Sequence, residues 1–322
     1  MPRASIVVPA YNTLTTLPDT VASLLAQEFD DFEVIVVDDG SSDGTAEWVR
    51  AQTDPRLRLV RQINRGLAGA RNGGIAAAWG DYVGFCDGDD LWEPGKLAAH
   101  VAHLDARPEV GLSFSGARLI GEDGRDLGLR QRPKVAGITA RDLFLRNPVS
   151  NGSTPVIRRA CLDAIAWRPA GEARDWWFDE SFRQSEDIEC WLRIMLTTRW
   201  EIAGLDAPLT RYRIVASGLS ANLEKQHATW ERVADRVRGI APDFARRHVP
   251  AARAYQLRYL ARRAVSLGDG KRALSMLTHA LKSSPRPLVE EPLKTLSTLG
   301  AAIALTIGGR AVIRRALGAR VA

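Results

Sequence analysis

The chain has 322 residues, enough for one large domain and an additional region. Its composition, with 45% hydrophobic and 25% charged residues, is ordinary for a soluble globular protein. Its three cysteines, Cys86, Cys161 and Cys190, lie too far apart for a disulfide framework or a metal-ligand pattern, which fits a reducing compartment. The chain starts with a strand-like run and shows no signal peptide, so we expect a cytoplasmic protein.

The net charge of +6 is unevenly distributed along the chain. Residues 245–322 contain 15 Lys and Arg and 3 Asp and Glu, a net charge of +12, whereas residues 1–244 carry −6. A basic region of this kind favours an anionic partner surface, either a membrane or a nucleic acid.

Apolar runs alternate with amphipathic segments in the first part of the chain. We predict strands at 5–8, 33–37, 57–60 and 82–86 and helices at 15–27, at 69–78 and from the residue after Thr45 through Arg50. Thr45 is the predicted cap of the second helix. Strands that alternate with helices indicate an α/β protein with a parallel sheet. In open sheets of that kind, ligands bind beyond the carboxyl ends of the strands.

Two acidic loops follow predicted strands, at 38–45 and at Asp87-Gly88-Asp89-Asp90. Carboxylates that lie this close together repel each other and raise each other's pKa. A divalent cation between them would offset most of this repulsion. Mg²⁺ and Mn²⁺ prefer oxygen ligands, and Mg²⁺ commonly combines one or two carboxylates with substrate phosphates. Taken alone, either loop could be a polar turn.

The segment 64–74 is rich in glycine and alanine. Small residues at the start of a helix allow a phosphate to approach the exposed N–H groups. Arg71 could pair with a diphosphate or with Asp39. The segment does not have the G-x-G-x-x-G pattern after a first strand, which disfavours a dehydrogenase.

Four stretches, in this order, resemble the family 2 glycosyltransferases: Pro9-Ala10-Tyr11-Asn12, the loop 36–45, the segment 66–72 and Asp87-Gly88-Asp89-Asp90. The resemblance covers roughly residues 4–215. It implies an α/β fold of the GT-A type, a nucleotide-sugar-binding sheet flanked by helices, here with a C-terminal all-α extension. It also implies an inverting, metal-dependent transfer of sugar from a nucleoside-diphosphate sugar to an acceptor hydroxyl.

The same resemblance assigns donor and metal residues. Those implied to bind the donor nucleotide are Pro9, Tyr11, Asn12, Asp39, Arg71 and Asp87. Asp89 is implied to hold Mn²⁺ or Mg²⁺, together with Asp87 and with support from Asp90.

Residues near the acceptor come from the second half of the domain. The segment 152–159 resembles a family strand near the acceptor site, and 185–193 resembles the family's Glu-Asp motif, with Asp187 as general base and Glu186 as its neighbour. Carboxylates also favour the first turn of a helix, so a purely structural cap is the alternative. Trp176 and Trp177 either stack on a sugar ring or lie in the core. Arg213 either contacts the diphosphate or belongs to a plain strand.

The rest of the chain is predicted to be helical. We divide the chain into a catalytic domain at 1–215, a helical linker at 216–250 and a basic helical region at 251–322. Residues 257–285 have the spacing of one tetratricopeptide-like hairpin with its turn at 268–270. One such unit leans on another surface, which can be the catalytic domain, the last helix or a second subunit, so a homo-oligomer is possible.

The apolar run 296–309 has 14 residues, fewer than a membrane-spanning helix needs. Four arginines follow it: Arg310, Arg314, Arg315 and Arg320. The run is therefore either an interfacial helix on an anionic membrane or a helix packed on the hairpin.

Three other functions would leave different features in the sequence. A sugar nucleotidyltransferase would carry a glycine-rich loop with an arginine after the first strand. A processive polysaccharide synthase would show membrane spans and Gln-Xaa-Xaa-Arg-Trp, but Leu196 stands where Gln belongs before Arg199-Trp200. A non-catalytic scaffold would use the helical region to bind a partner. We expect a saccharide or lipid-linked acceptor, work at the inner face of a bacterial membrane in surface polysaccharide or glycolipid synthesis, and no nucleic-acid partner.

Overall fold

The computed structural model describes residues 1–215 and 222–317, with side chains described up to residue 307. These residues form two compact units. The first contains the described residues up to 215 except Phe144–Arg146, and the second contains Phe144–Arg146 and residues 222–317.

A mixed sheet of nine strands organises the first unit. The strands are β1 (Ala4–Ala10), β2 (Phe32–Asp38), β3 (Leu57–Arg61), β4 (Tyr82–Phe85), β5 (Leu91–Trp92), β6 (Val110–Ile120), β7 (Asp126–Gln131), β8 (Val156–Arg158) and β9 (Glu201–Arg213). Their order is β3-β2-β1-β4-β8-β6-β9-β5, and β7 pairs with β6. The predicted parallel arrangement holds for β1 to β4, whereas β8 runs antiparallel to both β4 and β6.

Helices cover both faces of this sheet. They are α1 (Leu17–Leu25), α2 (Thr45–Arg50), α3 (Gly66–Ala77), α4 (Lys96–Ala106), α5 (Ala140–Arg146, whose last three residues belong to the second unit), α6 (Arg159–Asp163) and α7 (Glu186–Thr197). One core joins Ile6 and Val8 of β1 to apolar residues of α1 and α4. Side chains alternate along a strand, so Val7 faces the other side. There α3 lies so close that a Cβ on Gly74 would be 2.2 Å from Val7 Cγ1.

Two predicted helix starts differ from the structure. Thr45 is the first residue of α2 rather than its cap. Asp43 Oδ1 accepts hydrogen bonds from Thr45 N at 3.0 Å and Thr45 Oγ1 at 2.6 Å, so the carboxylate closes this turn. The helix α3 begins at Gly66, one turn before the predicted residue 69, because Asp39 holds the backbone there.

The second unit is helical. Its helices are α8 (Leu223–Ile240), α9 (Pro242–Ser266), α10 (Gly270–Ser283), α11 (Arg286–Glu290) and α12 (Pro292–Leu317). The helices α9 and α10 form the predicted hairpin, and Asp269 Oδ1 accepts from Arg272 N at 3.0 Å to cap α10. Because α9 continues through residue 250, the division that we predict at that residue falls inside a helix. In 1–215 and 222–317, no helix combines the length and apolar character needed to cross a membrane.

Candidate active site

The carboxyl ends of β1, β2 and β4 meet at one edge of the sheet. Ala10 pairs with Asp38 and Val7 with Phe85, so the loops that follow these strands lie side by side. Asn12 joins two of them: its N–H donates to Ser41 Oγ at 3.0 Å, and its Oδ1 accepts from Ser42 N at 2.9 Å. Asn12 has a φ of 53°, a left-handed conformation that asparagine tolerates better than most residues. Next to it, Tyr11 is exposed at 53% and faces solvent.

Asp39 lies at the end of β2 and is 2% exposed. Its Oδ1 accepts from Gln62 Nε2 at 2.7 Å and from Arg65 N at 2.9 Å, and its Oδ2 accepts from Gly66 N at 2.8 Å. A carboxylate at a helix N-terminus satisfies N–H groups that have no partner within the helix. Asp39 therefore holds the glycine-rich start of α3 against the loop after β2.

Arg71, on α3, is the central cation of the site and is 2% exposed. Its Nη2 donates to Asp87 Oδ1 at 2.8 Å and its Nη1 donates to Glu186 Oε1 at 2.6 Å. Burial alone would lower the pKa of Arg71, but Asp87, Glu186 and Asp187 raise it above its usual value. Of the two pairings predicted for Arg71, the one with Asp39 is absent from the described residues. The structure pairs Arg71 with carboxylates on two other segments instead.

The packing around Arg71 leaves no room for a side chain at Gly152. A Cβ at that position would lie 2.0 Å from Arg71 Nη2. The segment 152–159, predicted to lie near the acceptor, therefore meets the arginine that joins the acidic loop to α7.

Glu186 and Asp187 open α7 after Ser185, which has a left-handed φ of 61°. Burial raises the pKa of Glu186 to about 7, although Arg71 acts in the opposite direction. Burial also raises the pKa of Asp187, which Arg71 and the hydrogen bond from Ile188 N to its Oδ1 at 2.8 Å partly oppose. The pKa of each of these two carboxyls is thus closer to neutral pH than that of a surface carboxyl.

Asp89 and Asp90 differ in their surroundings. Asp90 is fully buried; its Oδ2 accepts from Ser153 Oγ at 2.5 Å and its Oδ1 from Arg213 N at 2.8 Å. Asp89 is half-buried. Burial, and then the charge of Asp87, raise the pKa of Asp89 to about 6. Asp90 therefore anchors the loop through its hydrogen bonds to Ser153 and Arg213. Asp89 carries a negative charge that a cation would stabilise.

Among the residues whose side chains are described, no three His, Cys, Asp or Glu side chains are arranged to hold a metal ion by themselves. In the acidic loop Asp87 and Asp89 are half-buried and Asp90 is fully buried, so two of its carboxylates are open to a ligand. That number suits an ion that takes its other ligands from substrate phosphates and water.

Arg213 is 5% exposed and its guanidinium binds backbone. Its Nε donates to Asp89 O at 2.7 Å, and its Nη1 donates to Glu122 O at 2.9 Å and to Gly121 O at 3.3 Å. It therefore connects the turn between β6 and β7 to the acidic loop.

The two tryptophans predicted to contact a sugar or the core lie in different surroundings. Trp177 is 7% exposed and belongs to the core. Trp176 is half-buried, and its ring stands edge-on to Trp167 with the centroids 6.1 Å apart. Of the pair, Trp176 is the one that a ligand could reach.

We did not single out Asn72 from the sequence, although it lies directly after Arg71 in the segment 66–72. It is fully buried. Its Oδ1 accepts from Trp177 N at 3.0 Å and Phe178 N at 2.8 Å, and its Nδ2 donates to Phe178 O at 2.8 Å and Glu180 Oε1 at 3.0 Å. Asn72 thus fixes the segment that leads to α7.

The pair Arg199-Trp200 lies at the other edge of the sheet. It directly precedes β9, which runs parallel to β6, and β6 in turn runs in the same direction as β4. The start of β9 is therefore at the amino ends of the strands, away from the acidic loops. This placement away from the acidic loops, like Leu196 in the position of Gln, disfavours Arg199-Trp200 as the synthase motif.

Residues 5–162, which include the acidic loops and Arg71, match the family model "Glycosyl transferase family 2". The chain carries a family 2 glycosyltransferase domain. The chain is similar to curated relatives over a stretch longer than residues 5–162. The putative teichuronic acid biosynthesis glycosyltransferase TuaG of Bacillus subtilis is 29% identical over 233 residues, which are 71% of this chain and 86% of TuaG.

Two further relatives match different shares of the chain. The UDP-Glc:alpha-D-GlcNAc-diphosphoundecaprenol beta-1,3-glucosyltransferase WfgD of Escherichia coli is 27% identical over 233 residues, 72% of this chain and 85% of WfgD. The succinoglycan biosynthesis protein ExoO of Rhizobium meliloti is 34% identical over 197 residues, 58% of this chain and 54% of ExoO. The chain thus spans about half the length of ExoO.

Solved structures share the fold. Residues 1–349 of S. aureus TarS in complex with UDP-GlcNAc superpose with a TM-score of 0.62 and 19% identity, covering 96% of this chain and 92% of that one. The mannosyltransferase PcManGT from Pyrobaculum calidifontis, in complex with GDP-Man and Mn²⁺, gives a TM-score of 0.58 and 22% identity, covering 98% and 86%. The predicted GT-A fold with a helical C-terminal region is confirmed.

Proposed function

We propose that the chain transfers a sugar from a nucleoside-diphosphate sugar to an acceptor hydroxyl, with inversion at the anomeric carbon. The observation that carries the proposal is Arg71, whose guanidinium joins Asp87 of the acidic loop to Glu186 beside Asp187. A donor at the acidic loop and a base on α7 would then face each other across one buried cation. Family membership supports the reaction class, and the relatives TuaG and WfgD support a role in bacterial polysaccharide or glycolipid synthesis.

The donor would bind in the loops after β1, β2 and β4. Tyr11 is exposed, so its ring is suited to stack on the nucleotide base. Asp39 already accepts a hydrogen bond from Gly66 N at the start of α3, and it would accept another from the base. Pro9, Asn12 and Arg71 would shape the pocket by holding these loops. TarS and PcManGT bind nucleotide sugars, UDP-GlcNAc and GDP-Man, which supports this class of donor.

A divalent cation fits the acidic loop. Burial and the charge of Asp87 raise the pKa of Asp89, and a nearby Mn²⁺ or Mg²⁺ would stabilise its ionised form. Asp89 and Asp87 would hold the ion, and Asp90 would position their loop. When bound, the ion supplies a Lewis acid that neutralises charge on the departing diphosphate. PcManGT is described with Mn²⁺, which supports this cofactor.

Asp187 would accept the proton of the acceptor hydroxyl as that oxygen attacks. Its raised pKa suits a general base, because proton transfer is efficient when the pKa lies near the working pH. Glu186, bound to Arg71, would hold the start of α7 in place. Attack from the face opposite the diphosphate needs no covalent enzyme intermediate, and the product then has inverted configuration.

The acceptor would be a saccharide or a lipid-linked sugar. WfgD is named for a diphosphoundecaprenol-linked substrate, which supports a lipid-linked acceptor and work at the inner face of the cell membrane. Half-buried Trp176 is the aromatic residue that we assign to a sugar contact; the core position of Trp177 and the backbone contacts of Arg213 favour supporting roles for these two.

The test compares Asp187→Asn with Asp175→Asn as a matched control, since the side chain of Asp175 is 41% exposed and pairs only with Arg168 among the described contacts. We expect Asp187→Asn to lower kcat by about 10²–10⁴ while donor binding is nearly unchanged, and Asp175→Asn to have little effect. Donor binding is measured by calorimetry with UDP-sugars and GDP-sugars, and the anomeric configuration of the product by NMR. Retained configuration, or full activity of Asp187→Asn, would contradict the proposed base.

Metal dependence is tested separately, on the unaltered chain and on the variant Asp89→Asn. We expect a chelator to abolish transfer and Mn²⁺ or Mg²⁺ to restore it. Asp89→Asn should weaken diphosphate binding with metal present, but leave it nearly unchanged in chelator. Full activity in chelator would refute the metal role.

A further inference from the structure

The last helix, α12, has one face that packs inside its own unit. Thr298, Ala302 and Leu305 are 5%, 0% and 7% exposed. Ala302 lies in a core with apolar residues of α8, α9 and α10. Gly270, at the start of α10, lets α12 come close, because a Cβ there would be 2.7 Å from Ala302 O. This packing agrees with one of the two predictions for the run 296–309.

The opposite face of α12 is apolar and open to solvent. Leu293 and Ile307 are each 84% exposed, Leu296 is 52% and Ile303 is 42% exposed. Gly300 lies between them, and no described atom outside its own helix backbone comes within 4 Å of the position that a Cβ would take there. These five residues, which we call the outer stripe, follow one another by alternate steps of three and four residues, so they form one line along the helix.

The charge of the segment decides between possible partners. Residues 292–322 contain five basic residues and no acidic residue. Two copies of this segment would repel each other, whereas an anionic surface would attract it. The acidic residues just before α12 are already paired: Glu291 binds Lys294 at 2.6 Å and also Arg258, and Glu290 lies 3.4 Å from Arg146.

We propose that the outer stripe docks on an anionic lipid surface, with α12 lying in the plane of the interface. Apolar side chains on one face and basic residues nearby are the pattern of interfacial helices. The inner face of α12 remains packed on its own unit, so the helix presents only the outer stripe to lipid. This binding does not depend on the transfer reaction, and it can hold or fail independently of the proposed function.

The test is co-sedimentation of the full chain with vesicles. We expect the chain to pellet with vesicles of phosphatidylglycerol and phosphatidylcholine at low salt, to pellet less at high salt, and to stay in solution with phosphatidylcholine alone. The double variant Leu293→Ser and Ile307→Ser should lower the partition coefficient by about tenfold or more, because it removes the two most exposed side chains of the stripe.

The control is the double variant Leu267→Ser and Tyr259→Ser. These residues are 52% and 44% exposed in the same unit but lie outside α12. We expect this control to bind vesicles like the unaltered chain, and both double variants to keep its circular dichroism and melting temperature.

Two results would overturn the proposal. One is an unaltered chain that ignores anionic vesicles; the other is a stripe variant that binds them equally well. Sedimentation velocity adds a further outcome. If the stripe variant loses self-association while vesicle binding is unchanged, the stripe is an interface between copies of the chain and the lipid proposal is wrong.

Discussion

Asn72 holds the segment 177–180 by four hydrogen bonds, three of which go to backbone groups. Replacement by alanine would leave two buried N–H groups without their acceptor. We therefore expect Asn72→Ala to lower the free energy of unfolding by about 2–4 kcal/mol, measured by urea denaturation. The control Asn64→Ala, at an exposed position of the same stretch, should change it by less than about 0.5 kcal/mol. Equal effects of the two variants would show that Asn72 does not fix the segment.

Glu186 makes stability depend on pH in a defined direction. Its pKa is about 7 in the folded chain, above the ordinary 4.5, because the carboxyl is buried. Between these values the folded state binds more protons than the unfolded state, so stability falls as pH rises. This contribution is complete below about pH 4.5 and is lost above about pH 7.

The measurement compares the unaltered chain with Glu186→Gln, which does not ionise at this position. We expect the stability of the unaltered chain relative to the variant to fall by on the order of 1–3 kcal/mol between pH 5 and pH 8. Urea denaturation at several pH values gives this difference. A difference that stays constant or rises with pH would mean that Glu186 is ionised throughout, held so by Arg71.

At the scale of elements, the contact between α10 and α12 depends on Gly270. A Cβ there would be 2.7 Å from Ala302 O, a backbone atom that cannot move away without shifting the helix. We expect Gly270→Ala to lower the free energy of unfolding by about 1–3 kcal/mol. Gly239→Ala in α8 is the matched control, because among the described residues no atom outside its own helix backbone lies within 4 Å of the position that its Cβ would take. There alanine should stabilise by about 0.4–1 kcal/mol, since it restricts the unfolded chain and favours the helix.

The outcome at both glycines is read from chemical denaturation monitored by circular dichroism. If Gly270→Ala is neutral or stabilising, α12 is not held against α10 as the structure shows. A destabilising Gly239→Ala would instead indicate that the end of α8 is packed more tightly than its surroundings suggest.

The strands that carry the site could be predicted because buried parallel strands have continuous apolar runs and end in polar loops. That logic is enough to place Asp39 and Asp87 at one edge of the sheet. It does not place Arg71, because its second partner, Glu186, is separated from it by 115 positions in the chain. Nor does it distinguish Asp90 from Asp89, since burial of one neighbour and partial exposure of the other depend on Ser153 and the end of β9.

The helical region could be predicted only in outline. Apolar spacing indicated the hairpin of α9 and α10, but the same spacing in 296–309 was compatible with packing or with a membrane surface. In the structure α12 has a packed face and an open one, so both patterns are present in a single helix. A sequence window cannot separate two apolar faces of one helix unless the neighbours of each are known.

At the scale of the whole molecule, each unit has a hydrophobic core of its own. Units with separate cores can unfold separately, so scanning calorimetry should show two transitions. The proposed donor site lies wholly in the first unit, and a ligand stabilises only the unit that binds it. UDP or GDP with Mn²⁺, at about 100 times its Kd, should therefore raise one transition by the equivalent of about 2.7 kcal/mol and leave the other unchanged.

Gly270→Ala identifies the second transition, because the substitution lies in α10 of the second unit. We expect it to lower the transition that the nucleotide does not move, and to leave the nucleotide-dependent shift of the other intact. If nucleotide and substitution both move both transitions, the two units unfold as one cooperative body. If no nucleoside diphosphate moves either transition, the proposed donor site is wrong, even when the effect of Gly270→Ala is as expected.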